Sequence, residues 1–455
     1  MPSSYREVAR IRPVELLRPR TSVPCSMRAG ELTPVPRQAP FVTVLGTFSH
    51  ESPSTDPVSL VLSSGGDSFA ALWDPVSGAL ALGVTVGGSR QTTHRSRRRG
   101  TVTTRPEAMA LTLTGTHLTV LTLENGEWVA RARHDLGDLV AVRDDAWLAD
   151  LSAGVGVGAH VLREVRAGTF GQLGLRDVRA VTLPDGTPVL RNAQVLLSAT
   201  CAGPGFFDTA HTGLFLLDPR HHRLTHVSDL WFRRPDVPGA FGDHAVHVVH
   251  DPSSPDAPWT VAASTWSDFH TERNPQVRCT LVRTAVDITR GEHLLDTTEL
   301  PLPTDGFTSL GVWDPHLIRD DDVWRVAYVS ARKWFSFHPV TASGPRLDSL
   351  TLDAALTSRR ATEGTTWHRT AAGLRLLASD GRDNPRGFRE RYPVLDPSLT
   401  EVGTLDAPYP SNIPWPTLVD VDGRRLLVTF DGTPRAGDLL GYGTHGDLVV
   451  MALDA

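Results

Sequence analysis

From Phe41 onward, hydrophobic and polar positions alternate in short runs: "FVTVLGTF", "VSLVLSS", "SFAALWD", "ALALGVTV" and "MALTLTGTHLTVLTLENGEWVARARHDL", separated by Gly, Asp and Asn turns. A period of two puts successive side chains on opposite faces of a strand, so these runs predict half-buried antiparallel strands. About seven strands between residues 41 and 140 fit a β-sandwich of jelly-roll or concanavalin-like type. Residues 1–40 are rich in Pro and Arg without a steady period and read as an N-terminal arm.

Residues 141–455 repeat. Five similar units return: "RDVRAVTLPDGTPVLRNAQVLLSAT", "GDHAVHVVHDPSSPDAPWTVAAST", "WDPHLIRDDDVWRVAYVSA", "TEGTTWHRTAAGLRLLASDG" and "SNIPWPTLVDVDGRRLLVTFDG". Each has a polar or acidic start, an apolar strand, a turn rich in Asp or Gly, and a second alternating strand. The leading positions Asp177, Asp243, Asp314, Glu363 and Asn412 are spaced by 66, 71, 49 and 49 residues, which is room for four strands each. The expected fold is all-β, a five-bladed β-propeller preceded by the β-sandwich. Trp259, Trp324 and Trp367 fall inside strands, where packing between blades is their expected work.

Composition agrees with this and narrows the partners. The chain has 39 Gly, 34 Pro and 11 Trp but only 4 Met, as expected of many short strands joined by turns. A net charge of -6 gives no reason to expect nucleic acid or an anionic membrane as partner. The basic stretch His94–Gly100 lies between two strand patterns and reads as a solvated loop. Cys25, Cys201 and Cys279 are odd in number and widely spaced, so neither a disulfide framework nor a zinc motif is expected. His244, His247 and His250 match no zinc spacing and read as strand positions. The charged opening residues, and the lack of an apolar run of roughly 18 residues, lead to the expectation of a soluble, cytoplasmic protein. Composition does not address oligomeric state.

In a propeller the first strand of each blade starts at the central axis, so equivalent residues of different blades face one funnel. Asp177, Asp243, Asp314 and Glu363 are therefore expected to converge, although they lie far apart in the chain. Convergent carboxylates repel, so some must be paired or shifted in pKa. Glycoside cleavage needs such a set: one carboxyl to protonate the leaving oxygen and another to act as base or nucleophile. Trp266, Trp313 and Trp415, near strand starts, are placed to stack on sugar faces, and Arg176 and Asn412 to hydrogen-bond sugar hydroxyls. The chain carries no Gly-rich phosphate loop before a helix, no Gly-x-Ser-x-Gly elbow and no Cys-x-x-Cys pair.

Three of these segments, Asp177 in "LGLRDVRAV", Asp314 in "VWDPHLIRDDDVWRVAYVS" and Glu363 in "TEGTTWHRTAAGLRLLASDG", resemble the blade-wise pattern of glycoside hydrolase family 43 and related five-bladed furanosidases. The resemblance spans about 300 C-terminal residues, and it departs at Asp177, where "RDV" replaces the usual Asp-Pro. It implies that Asp177 is the general base, Asp314 the residue that tunes pKa, and Glu363 the general acid of an inverting hydrolase. The implied substrate is an oligosaccharide with a furanoside or pentoside linkage, arabinose-containing before xylose-containing. Two alternatives stay open: a retaining fructan-type hydrolase or transglycosylase, and a non-catalytic carbohydrate-binding propeller. No cofactor is expected; a structural calcium ion is compatible with so many carboxylates, though no Asp-rich calcium loop is present.

Overall fold

The computed structural model describes residues 4–49, 55–433 and 446–453. Two antiparallel sheets form the sandwich. The seven-stranded sheet runs in the order Glu127–Asp135, His117–Glu124, Ala108–Thr114, Phe41–Phe48, Leu162–Gln172, and the last of these also pairs with Glu15–Leu17 and Val23–Pro24. The six-stranded sheet runs Leu32–Pro34, Ser152–Val157, Val58–Ser64, Asp67–Asp74, Ala79–Val86, Arg90–His94. Alternation decides which side chains meet between the sheets. In "DSFAALWD", Phe69, Ala71 and Trp73 are buried while Ala70, Leu72 and Asp74 are not, and the buried set joins Val42, Val44, Leu60, Leu62, Leu111 and Leu113 in one core.

The sandwich is larger than the pattern foretold. It extends to Gln172 rather than stopping at residue 140, and residues 4–40 supply strands to the sheets instead of forming a separate arm. Three of the segments before residue 40 are strands of two or three residues, too short to show a period. The fourth, Tyr5–Ile11, is the outer strand of the last propeller blade, paired antiparallel with Asp447–Leu453. Only Tyr5 is buried in that strand, so its alternation is faint.

Five four-stranded antiparallel units follow. Their inner strands are Leu175–Ala180, His244–His250, Gly311–Asp320, Thr362–Thr370 and Thr417–Val421, and each pairs with the next strand of its own blade. The first blade is extended by Gly291–Asp296, which pairs in parallel with Arg223–Arg233. The blades close a ring, because each neighbouring pair shares a buried apolar cluster. Leu196 and Leu214 of the first blade pack with Val248 and Val261 of the second. Val249 and Cys279 then meet Leu317 and Tyr328 of the third. Ile318 and Ala327 meet Trp367 and Leu376 of the fourth, and Tyr392 meets Leu427 and Met451 of the fifth, with Tyr5. Val419 and Val450 return to Val178 and Leu197 of the first. Trp259, Trp324 and Trp367 are buried in these inter-blade clusters.

The inner strands share one irregularity that positions the site. The register slips between Arg176 and Arg179, His244 and His247, Trp313 and His316, and Glu363 and Thr366. Each slip is a β-bulge, which kinks the strand and re-aims side chains. At its centre one residue takes a left-handed conformation: Asp177 (φ 52°), Ala245 (55°), Asp314 (57°) and Gly364 (69°). Such a φ is costly for most residues and concentrates at functional sites.

Candidate functional site

The bulges surround a cavity of about 190 Å³ at one end of the propeller axis. Arg176, Asp177, Trp266, Trp313, Asp314, Glu363, Asn412 and Trp415 all line it. The starts of the first, third, fourth and fifth inner strands are thus brought together from across the chain.

Asp243 is the exception. It is fully buried outside the cavity, where its two carboxylate oxygens accept from Arg234 at 2.6 and 2.8 Å. Arg234 also donates to Asp268 at 2.7 Å. The bulge explains the misplacement. The second-blade residue equivalent to Asp177 and Asp314 is Ala245, and the one equivalent to Glu363, Arg176 and Trp313 is His244. His244 lines the cavity and was missed by sequence reasoning. Its Nδ1 lies 3.1 Å from the Gly242 carbonyl, which fixes the proton there, and Nε2 is a buried acceptor without a partner. Burial lowers its pKa, so it is a neutral imidazole at pH 7. The signal that could have found it is the pair of residues at each strand start, one aimed inward before the bulge and one at its centre.

Three carboxyls share the cavity, and their environments differ. Glu363 is pushed up to about 7 by burial and then by the charge of Asp177, with Arg176 acting the other way. Asp314 is pushed well above the ordinary carboxylate range by burial, then by Glu363 and Asp177, while Arg179 opposes the shift. Asp177 bears on both Glu363 and Asp314, and Asp314 is itself held as a neutral acid. The backbone N–H of Asp314 donates to Ser264 Oγ at 2.9 Å, which anchors the bulge, and its Oδ2 is buried without a partner.

Two residues past each bulge comes a layer that seals the cavity from the rest of the axis. Arg179, fully buried, donates to the carbonyls of Thr365 (2.7 Å) and Asp314 (3.1 Å) and lies 4.7 Å over the Trp415 ring. His247 and His316 stack with ring centroids 3.8 Å apart. Their Nδ1 atoms accept the backbone N–H groups of Leu317 (3.0 Å) and Trp367 (3.3 Å). Calcium takes six to eight oxygen ligands, whereas this layer offers a guanidinium and two imidazoles already engaged, so these residues do not fit a structural calcium ion. Cys201, His211 and Asp229 form a second group close enough to hold a metal. There Arg18 donates to Asp229 at 2.8 and 3.1 Å and reaches Cys201 Sγ at 3.5 Å, so a cation already fills it.

An aromatic wall adjoins the carboxyls. Phe207 lies 4.5 Å from Trp266, Trp266 5.1 Å from both Phe269 and Trp313, and Phe269 4.7 Å from Trp334, centroid to centroid. The loops carrying Phe207, Trp266 and Phe269 are tied to the sandwich. Asp208 Oδ2 lies 3.2 Å from His117 Nδ1, and Oδ1 lies 3.8 Å from Arg133. Arg143 donates to the Ser267 carbonyl at 3.0 Å, and Arg273 pairs with Asp135 and Asp138 at 3.2 and 3.1 Å. Burial takes His117 down to about 4, so a neutral imidazole packs beside Asp208.

No family model matches this chain, and no curated protein matches it. Among solved structures, it is similar to a GH43_1 enzyme from Xanthomonas citri complexed with xylotriose, with 14% identity over 62% of this chain and 88% of that one and a TM-score of 0.42. It is also similar to a family 117 glycoside hydrolase from Zobellia galactanivorans, with 11% identity over 62% and 84% and a TM-score of 0.43. A levansucrase from B. megaterium shares 9% identity over 62% and 84%, with a TM-score of 0.42.

Proposed function

We propose that the protein is a glycoside hydrolase that cleaves a furanoside or pentoside linkage of an oligosaccharide with inversion, arabinose-containing before xylose-containing. The observation that carries this reading is that Glu363 shares one cavity with a second carboxyl, Asp177. Burial and then Asp177 push Glu363 up to about 7, so it keeps a proton to give near neutral pH. A carboxyl held protonated beside a second one suits general-acid chemistry.

In this mechanism a sugar enters the cavity with one face on the aromatic wall. Asp177 takes a proton from a water molecule whose oxygen attacks the anomeric carbon. The bond from that carbon to the leaving oxygen breaks as Glu363 delivers its proton to the oxygen. Asp314, neutral and unpartnered at Oδ2, donates to a sugar hydroxyl, and Arg176, Asn412 and the acceptor Nε2 of His244 hold others. Trp266, Trp313 and Trp415 supply apolar faces. The partner is an oligosaccharide.

The test is sugar release from arabinofuranosides, xylosides and fructans by the wild type and Glu363→Gln, with NMR reading the anomer formed first. Release of the inverted anomer, lost in the variant, is expected. A retained anomer would recast Asp177 as a nucleophile, and no release from any substrate would leave a carbohydrate-binding propeller.

A further inference from the structure

The third blade carries a hairpin whose turn breaks the rules of its own geometry. Strand Val323–Lys333 pairs with Ser336–Gly344 and closes on Lys333 and Ser336, leaving Trp334 and Phe335 as the two turn residues. Two-residue hairpin turns favour Asn-Gly or Asp-Gly because they need positive φ, which bulky side chains resist. Phe335 nevertheless sits at φ 61°, with 63% of its surface exposed. An exposed aromatic in a left-handed turn costs stability twice, through strain and through apolar surface left in water. Local rules are broken in this way mostly where a site needs it.

The place of the turn says what it is for. Trp334 and Phe335 both line the catalytic cavity. Trp334 lies nearly parallel to the buried Trp313, with centroids 6.2 Å apart and planes at 13°, and so continues the aromatic wall outward. Phe335 stands at the exposed rim, beyond the buried Trp313 and Trp266 of that wall and the buried Trp415. The layer of Arg179, His247 and His316 closes the inner end of the cavity, so whatever extends past a sugar seated there passes the rim.

We infer that Phe335, with Trp334, is a binding platform for the leaving-group side of the substrate, stacking on the apolar face of the ring next to the scissile bond, and so favours substrates with a ring at that position. This rests on the reading of the cavity as a glycosidase site. The ring is a sugar or an aryl aglycone, which offer the same apolar face.

The experiment compares the wild type, Phe335→Gly and Phe335→Tyr on methyl, 4-nitrophenyl and trisaccharide substrates of the pentose released. Glycine removes the ring and suits the φ. Expected are a loss of kcat/KM of about tenfold on the 4-nitrophenyl and trisaccharide substrates in Phe335→Gly, little change on the methyl glycoside, and recovery in Phe335→Tyr. A loss confined to one of the two ring-bearing substrates identifies the ring as sugar or aryl. Equal losses on all three, or none on any, would overturn the inference. Binding of pentose and arabinotriose or xylotriose is measured alongside by tryptophan fluorescence. If no glycoside is hydrolysed but the trisaccharide binds more tightly than the pentose only while Phe335 is present, the platform stands and the hydrolase reading falls. A wild type that binds both equally overturns the platform.

Discussion

A Cβ built on Gly364 would lie 2.5 Å from both Cγ and Cδ1 of Trp415, so the residue after the proposed acid and the tryptophan of the fifth blade are packed backbone to indole. Gly364 also holds φ 69° at the centre of its bulge. Gly364→Ala is therefore expected to cost about 2–4 kcal/mol, from overpacking plus a left-handed alanine. Because the same shift moves Glu363, activity should fall more than stability does. Urea unfolding and kcat/KM measured together check this; a change below 0.5 kcal/mol would sink the packing argument.

Glu363 sets a pH dependence of known sign. In the proposed mechanism the acid form of Glu363 is the active one, so kcat/KM is expected to decline as pH rises through about 7. Stability has the same direction. A carboxyl whose folded pKa lies above its unfolded value binds its proton more tightly when folded, so stability is highest below the unfolded value and is lost as pH rises through about 7. Glu363 is only half-buried by surface, so the loss is put at about 2 kcal/mol. Glu363→Gln should remove it and be the more stable protein at pH 8. Equal pH dependence of melting in the two proteins would refute the shift.

Arg179 braces three blades through the carbonyls of Thr365 and Asp314. Arg179→Met takes this donor from both carbonyls and the guanidinium from over the Trp415 ring, at an expected cost of about 3 kcal/mol. Chemical denaturation measures it, and a variant as stable as the wild type would show the guanidinium to be dispensable.

The sandwich is expected to act on the site through Asp208, whose neighbour Phe207 lines the cavity. Asp208→Ala should raise KM by about threefold with kcat nearly unchanged, and cost about 1 kcal/mol. A fall in kcat alone would place the effect in the chemistry rather than in the wall.

Tyr5 closes the ring from the other end of the chain, buried against Tyr392 and Leu427. Tyr5→Ala is expected to cost about 3 kcal/mol, as for other large buried aromatics. A melting temperature unmoved by the substitution would mean the first strand does not hold the fifth blade.

Much of this was legible in the chain. Alternation in "SFAALWD" and "MALTLTG" identifies strands because a two-residue period needs nothing beyond a half-buried face. The five recurring hairpins similarly imply blades, and Asp177, Asp314, Glu363, Asn412 and the tryptophans at the strand starts follow from their common place in the repeat. What repetition could not supply was the register within one strand. Asp243 stands only two residues before Ala245, yet a β-bulge turns that small offset into the difference between a cavity wall and a buried pair with Arg234. The same bulge hides His244, which local pattern makes an ordinary strand histidine. The short strands before residue 40 were illegible because two or three residues carry no period, and the partner of Tyr5–Ile11 lies at Asp447–Leu453. Local periodicity thus determined element type and repeat, since it reflects which face of a strand meets water. Tertiary structure alone decided that Asp314 and Glu363 hold their protons more tightly than ordinary carboxyls. Burial and the charges of Arg176 and Arg179 act through space, and no spacing along the chain encodes them.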